Sequence, residues 1–241
     1  MPKLHVLLKK EELDGQLLPG KVVIVLDVLF ATTSIAAALA HGAAEVIPTL
    51  DGEAARAVAA GRPAGSYLLA GEFGAETLPG FAHPTPLSLI DLPLSGRSLI
   101  YSTTNGTVAV NRAAGASRVY AAALANGAAV AEHVVRRAEG ETVLLVCSGS
   151  VDAFNLEDFY GAGHLVSQFT RSGMEWELSD SALAARMLHD GSDARDCLSR
   201  SRVGRMMLAR GLEREVEYAA RKDHLSVVPE LRGGRIVSVA A

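Results

Sequence analysis

Four short stretches of the sequence carry residues able to bind an anion or a cation. Asp27 interrupts an apolar run, KVVIVLDV at 21–28, and Thr32 and Thr33 follow it. Glu72 comes after Gly71 and a second apolar run. Ser102, Thr103, Thr104, Asn105, Gly106 and Thr107 stand in a row after a third. Asn155, Glu157 and Asp158 lie close behind a fourth. A carboxylate inside an apolar run is costly unless it is paired, hydrogen-bonded or bound to a cation. Carboxylates from separate stretches would supply oxygen ligands for Mg²⁺, which uses few of them directly, keeps waters and acts beside phosphate. Hydroxyls and free amides ahead of a helix make an anion site, aided by the helix dipole. The same residue types also cap helices with no ligand. The two kinds of site together describe metal-assisted hydrolysis of a phosphate ester. Asp27 and Glu157 both qualify to take the attacking water's proton.

Other chemistries lack their apparatus. The chain has no GxxxxGK[ST], no GxGxxG after a strand and no HExxH. It has no GxSxG, and Asp27 lacks the second acid of a DxD nucleophile motif. Lys plus Arg is 23 against 27 for Asp plus Glu, with no basic run, which argues against a nucleic-acid partner. Cys147 and Cys197 form neither CxxC nor zinc spacing, so a reduced, cytoplasmic setting is expected. The N-terminus does not read as a signal peptide. The apolar stretch from Val22 to Ala40 carries Asp27 inside it and reads as a buried strand and helix, not a membrane span.

The elements that must position these residues follow from the apolar pattern. The runs Lys21–Val28, Ser66–Ala70, Ser98–Tyr101 and Thr142–Cys147 do not alternate, as expected of strands covered on both faces. Helical stretches follow three of them, at Ser34–Ala40, Val108–Ala114 and Leu156–Phe169. Repeated strand, loop and helix imply an α/β fold with a mostly parallel sheet and helices on its faces. Ligands then bind beyond the carboxyl ends of the strands, where all four stretches fall. Residues 28–46 resemble 99–119 in running through a Thr-Thr pair, an Ala-rich helix and Gly-Ala, which suggests two duplicated strand–turn–helix halves. Gly42 and Gly115 are expected in the left-handed region at the ends of those helices. Glu72–Leu94, with Pro79, Pro84, Pro86 and Pro93, reads as a long loop crossing the end of the sheet. Helices are expected at Ser181–His189, Asp193–Arg200, Val203–Arg210 and Glu213–Lys222, then closing strands near Val228 and at Arg235–Val239. No linker is apparent, so residues 1–241 are expected to form one domain.

The ordered set resembles the ComB-like family, the 2-phosphosulfolactate phosphatases. It comprises Asp-Val-Leu-Phe-Ala-Thr-Thr (27–33), Gly-Glu (71–72), Ser-Thr-Thr-Asn-Gly-Thr (102–107) and Asn-Leu-Glu-Asp (155–158). Gly161-Ala162-Gly163, Asp180, Ser201 to Gly204, Asp223 and Val228-Pro229 continue it. The resemblance implies a three-layer α/β fold. It also implies a Mg²⁺-dependent phosphatase that converts 2-phospho-3-sulfolactate to 3-sulfolactate and phosphate, a step of coenzyme M biosynthesis. Carried over by motif, Asp27, Glu157 and Asp158 become catalytic candidates, and Asp27, Glu72 and Asp180 metal candidates. Thr32, Thr33 and Ser102 to Thr107 become substrate-binding candidates. Phe30 stands where the family has Arg, and Pro84 where it has Asn in a Gly-Asn-Ser-Pro segment. Phe cannot grip an anion with a bidentate fork. Two alternatives follow from these departures: a phosphatase of altered substrate, or a non-catalytic binder of small anions. The expected partner is a small phosphorylated anion, with no nucleic acid and no membrane; a homo-oligomer is compatible with the sequence.

Overall fold

The structure, a computed structural model, describes residues 1–239. Its strands are β1 (Lys3–Leu7), β2 (Val22–Leu26), β3 (Glu45–Thr49), β4 (Tyr67–Phe73), β5 (Glu76–Thr77) and β6 (Ser98–Ser102). They continue with β7 (Arg118–Ala122), β8 (Val143–Cys147), β9 (Glu177–Leu178), β10 (Val228–Arg232) and β11 (Arg235–Val239). Its helices are α1 (Ala31–Ala40), α2 (Gly52–Ala60), α3 (Pro86–Ile90), α4 (Gly106–Arg112) and α5 (Gly127–Arg136). The later ones are α6 (Leu156–Arg171), α7 (Asp180–Gly191), α8 (Ala194–Arg200), α9 (Arg202–Ala209) and α10 (Glu213–Ala220).

All strands join one sheet in the order β5-β4-β6-β3-β11-β10-β7-β2-β8-β1-β9. Two blocks are internally parallel: β4, β6 and β3 in one, β7, β2, β8, β1 and β9 in the other. The β10–β11 hairpin is wedged between them, antiparallel to β7 on one side and to β3 on the other. Five steps therefore separate β6 from β2. At roughly 20–25° of twist per step the sheet turns through about 100–125° over that distance. This coiling brings the carboxyl ends of β2 and β6 together although their blocks run in opposite senses.

Helices cover both faces, giving the three layers expected. Valines of β2 and β7 meet Leu99 and Tyr101 of β6 across α1 and α4, which fill the inner face. Ile24, Leu26, Leu145 and Cys147 point outward onto α5, α6 and α7. Ile47 and Ile100 pack outward against α2. Helices α8, α9 and α10 build a separate apolar cluster over Val28 and Leu29, just past the end of β2. Gly106 permits a close approach at the site: a Cβ there would lie 2.3 Å from the Ala31 Cβ and 2.5 Å from Asp27 Oδ2. The first turns of α1 and α4 thus abut.

Two expectations are corrected. Gly42 is left-handed at φ 93°, but Gly115 is not, because α4 runs into a tight turn at Ala113–Gly115 rather than ending on a glycine. The segment 72–94 is not simply loop, since it completes β4 and holds β5 and α3. The Pro84 carbonyl accepts the Ser34 hydroxyl at 2.7 Å and the Tyr101 hydroxyl at 2.5 Å, so this segment is pinned between α1 and β6. Pro84 therefore sits in the packed interior.

Candidate functional site

The two strand–turn–helix units close in the same way. The Thr32 hydroxyl accepts the Asp27 amide at 2.9 Å and donates to the Asp27 carbonyl at 3.0 Å. The Thr107 hydroxyl accepts the Thr103 amide at 3.0 Å and donates to the Thr103 carbonyl at 3.0 Å. Thr33 donates to the Val28 carbonyl at 2.6 Å, and the Thr103 hydroxyl accepts the Thr107 amide at 3.1 Å. All four threonines are buried. Their hydroxyls hold strand ends against helix starts.

The acids divide into braces and cavity walls. Asp158 is fully buried and accepts the amides of Val28 at 2.9 Å and Gly149 at 3.2 Å, joining the turns after β2 and β8. Burial, with Asp27 and Glu157 nearby, pushes its pKa well above the usual carboxylate range. Glu72 accepts the Thr104 amide, the Thr104 hydroxyl and the Ala75 amide. Glu157 is 2% exposed, and burial raises its pKa against the pull of the Ser201 hydroxyl and Arg202. Asp27 is pushed up to about 7, first by burial and then by the charges of Glu72 and Glu157. That value suits a group that must take a proton near neutrality.

These residues enclose a cavity of about 230 Å³. Asp27, Glu72 and Glu157 supply three carboxylates to it, and Thr104 and Asn105 bring the turn before α4. Another wall is apolar and basic, with Phe30, Val203, Met206, Arg202 and Arg210. Among the described residues, no acceptor is bonded to the amides of Asn105 and Gly106. A neighbouring cleft of about 480 Å³ shares Glu72 and Thr104 and takes in Ser102 and Thr103.

The structure thus gathers Asp27, Glu72, Thr104, Asn105 and Glu157 at one cavity, with Gly106 against Asp27 behind it. Thr32, Thr33, Thr107 and Asp158 are packed behind the wall. Asp180 is not brought there. It opens α7 directly after Ser179, whose amide donates to the Leu4 carbonyl in the first half of β1. The cavity lies beyond the other end of the parallel strands. At the first turn of α7 an acid favourably faces the helix dipole.

Lys10 was not singled out by its sequence, because Lys9-Lys10-Glu11-Glu12 reads as a solvated run. A single tight turn at Lys10–Glu12 points its neighbours apart. Lys9 pairs with Asp152 at 2.7 Å near the surface. Lys10 is 5% exposed, and its Nζ donates to Asn105 Oδ1 at 2.9 Å and to the Ser148 carbonyl at 3.3 Å. It also pairs with Glu11 at 2.9 Å. It therefore holds the side chain of Asn105 from beneath.

Among the described residues, no three His, Cys, Asp or Glu side chains cluster to hold a metal unaided. Mg²⁺ asks for less: one or two carboxylates, waters and a phosphate. Glu157 Oε2 and Asn155 Oδ1 are buried in the cavity wall with no partner among the described residues. Such oxygens, beside the Asp27 carboxylate, fit a hydrated hard cation. No described helix is long and apolar enough to cross a membrane.

A model of the 2-phosphosulpholactate phosphatase family matches residues 7–234 of the chain. The chain is 38% identical over 223 residues to the probable 2-phosphosulfolactate phosphatase of Symbiobacterium thermophilum, a match spanning 91% of this chain and 95% of that protein. The protein of the same name from Carboxydothermus hydrogenoformans is 37% identical over 238 residues, spanning 98% and 96%. That of Deinococcus radiodurans is 37% identical over 223 residues, spanning 91% of both.

Proposed function

The chain belongs to the 2-phosphosulpholactate phosphatase family, and we propose that it hydrolyses 2-phospho-3-sulfolactate to 3-sulfolactate and inorganic phosphate. The observation that carries this reading is the cavity itself, where carboxylates of raised pKa stand beside the unpaired amides of the turn before α4. The amides of Asn105 and Gly106 bind phosphoryl oxygens, helped by the dipole of α4. Asp27, with a pKa near 7, takes the proton of the attacking water. The P–O bond to the lactate carbon chain breaks as the water oxygen bonds to phosphorus, and the leaving oxygen takes up the proton that Asp27 received, becoming the hydroxyl of 3-sulfolactate. Glu72 and Lys10 hold Thr104 and Asn105 in place for this step. Mg²⁺, held by Glu157 and Asn155 with Asp27 adjacent, would stabilise the negative charge on the phosphoryl oxygens. A role in coenzyme M formation and a cytoplasmic setting belong to the same reading.

The test is phosphate release from 2-phospho-3-sulfolactate by the purified protein, with Mg²⁺ and with EDTA. Turnover that disappears with EDTA and returns with Mg²⁺ is the expected result. Tight binding of the substrate without release of phosphate would favour a non-catalytic anion binder instead.

A further inference from the structure

Two arginines reach the cavity wall, and they differ in what occupies them. Arg210 donates to the Ala75 carbonyl and pairs with Glu76 at 2.7 Å. Arg202 donates no hydrogen bond to any described residue and belongs to no ion pair. Its charge acts on Glu157 and pulls that carboxyl's pKa down, but no salt bridge closes between them and Glu157 Oε2 stays without a partner. We propose that Arg202 binds the second anionic group of the substrate, the sulfonate remote from the reacting phosphoryl group; this rests on the phosphatase reading above.

The start of α9 is fixed firmly enough to aim that side chain. The Ser201 hydroxyl caps the helix by accepting the Gly204 amide at 2.9 Å. Gly204 lies so close to α8 that a Cβ would fall 1.8 Å from the Leu198 carbonyl oxygen. Val203 and Met206, on the same helix, pack with Phe30 in one apolar cluster. Arg202, one residue before Val203, therefore lines the same cavity as Phe30. A planar fork of N–H donors matches sulfonate oxygens, as it does carboxylate and phosphate. The phosphoryl end has its own donors at α4, so Arg202 is left for the far end of the molecule. Arg202 discriminates between phosphate esters; it is not needed to hold the phosphoryl group.

The test is calorimetric titration of wild type, Arg202→Gln and Arg205→Gln with 3-sulfolactate and, separately, with inorganic phosphate. Arg202 and Arg205 are both exposed on α9, so neither change disturbs the core. Arg202→Gln should weaken 3-sulfolactate about tenfold or more, the loss of one charge-assisted contact. Phosphate affinity should stay within about twofold, and Arg205→Gln should alter neither ligand. Equal loss for both ligands, unchanged 3-sulfolactate affinity, or no binding of 3-sulfolactate to wild type would overturn the assignment. Turnover of 2-phospho-3-sulfolactate by wild type is scored apart. Its absence would count against the phosphatase reading, whereas a missing contrast between the two ligands counts against Arg202.

Discussion

The Glu72 carboxylate receives both the amide and the hydroxyl of Thr104, at 2.6 and 2.9 Å, so the end of β4 is tied to the turn that opens α4. The Ala75 amide adds a third donor at 2.7 Å. Glu72→Ala would strand all three donors. It should cost about 2–4 kcal/mol and lower Tm by roughly 5–15 °C. Thr104→Val removes only the hydroxyl contact and should cost about 1 kcal/mol. Thermal denaturation of the three proteins decides the matter; a Glu72→Ala variant as stable as wild type would show that the tie carries no weight.

Asp27 is set against stability at neutral pH. Its pKa is about 7 in the folded protein, against the ordinary aspartate value of 3.8. The folded state therefore keeps a proton that the unfolded chain releases, and this contribution to stability is lost as pH rises from about 4 to about 7. Asp27→Asn removes the effect. Without metal at pH 8, it should gain on the order of 2 kcal/mol, or roughly 4–8 °C in Tm, while abolishing hydrolysis. At pH 4 the two proteins should melt together. Parallel Tm profiles from pH 4 to 8 would count against the raised pKa.

Lys10→Met removes the bonds to Asn105 and Ser148 and leaves Glu11 without its cation. The stability loss should be about 2–3 kcal/mol, below that of a fully buried pair because Glu11 is partly exposed. The released Asn105 should also lower kcat/KM about tenfold. Urea denaturation and steady-state kinetics on the same preparation separate the two effects. Wild-type kcat/KM in the variant would mean that Asn105 does not need holding.

Phe30 borders the cavity next to the α9 residues that flank Arg202. Phe30→Arg should therefore raise kcat/KM for 2-phospho-3-sulfolactate relative to a phosphate ester lacking the sulfonate, by about three- to tenfold. In an Arg202→Gln background the same change should return most of the lost discrimination. A ratio that does not move in either background would separate position 30 from sulfonate recognition.

The parts of the fold legible in the sequence are those whose apolar runs are continuous. β2, β6 and β8, with α1, α4 and α6 behind them, read directly because both sheet faces are covered. β3 was hidden by Glu45 and Pro48, and β7 by Arg118 at one end and alanines at the other. Two-residue β5 and β9 hold too little pattern to read. The pairing of β11 with β3 joins residues about 190 positions apart, and no local signal encodes it. At the site, Asp27 is legible as an acid inside an apolar run, and Glu72 and Glu157 as acids just past the ends of such runs. The threonines were legible as a group, but hydroxyls that bind a ligand and hydroxyls that close a turn look alike in sequence. Phe30 and Pro84 looked equivalent as departures from the family, yet only Phe30 faces the cavity. Arg202 and Lys10 depend on helix direction and turn geometry, which residue type does not reveal.

The wedged hairpin also sets an order of assembly. Residues 228–239 leave the ribosome about 100 residues after β7, a delay on the order of ten seconds at typical synthesis rates. Before residues 228–239 are synthesised, β3 and β7 have no hairpin beside them, and any sheet formed by then presents an open edge at either strand. Those edges could zip onto each other or onto another chain. Pro48 in β3 is a built-in obstacle to such pairing, since it offers no amide to an incoming strand. The two parallel blocks that carry the halves of the site are joined in one sheet through this hairpin.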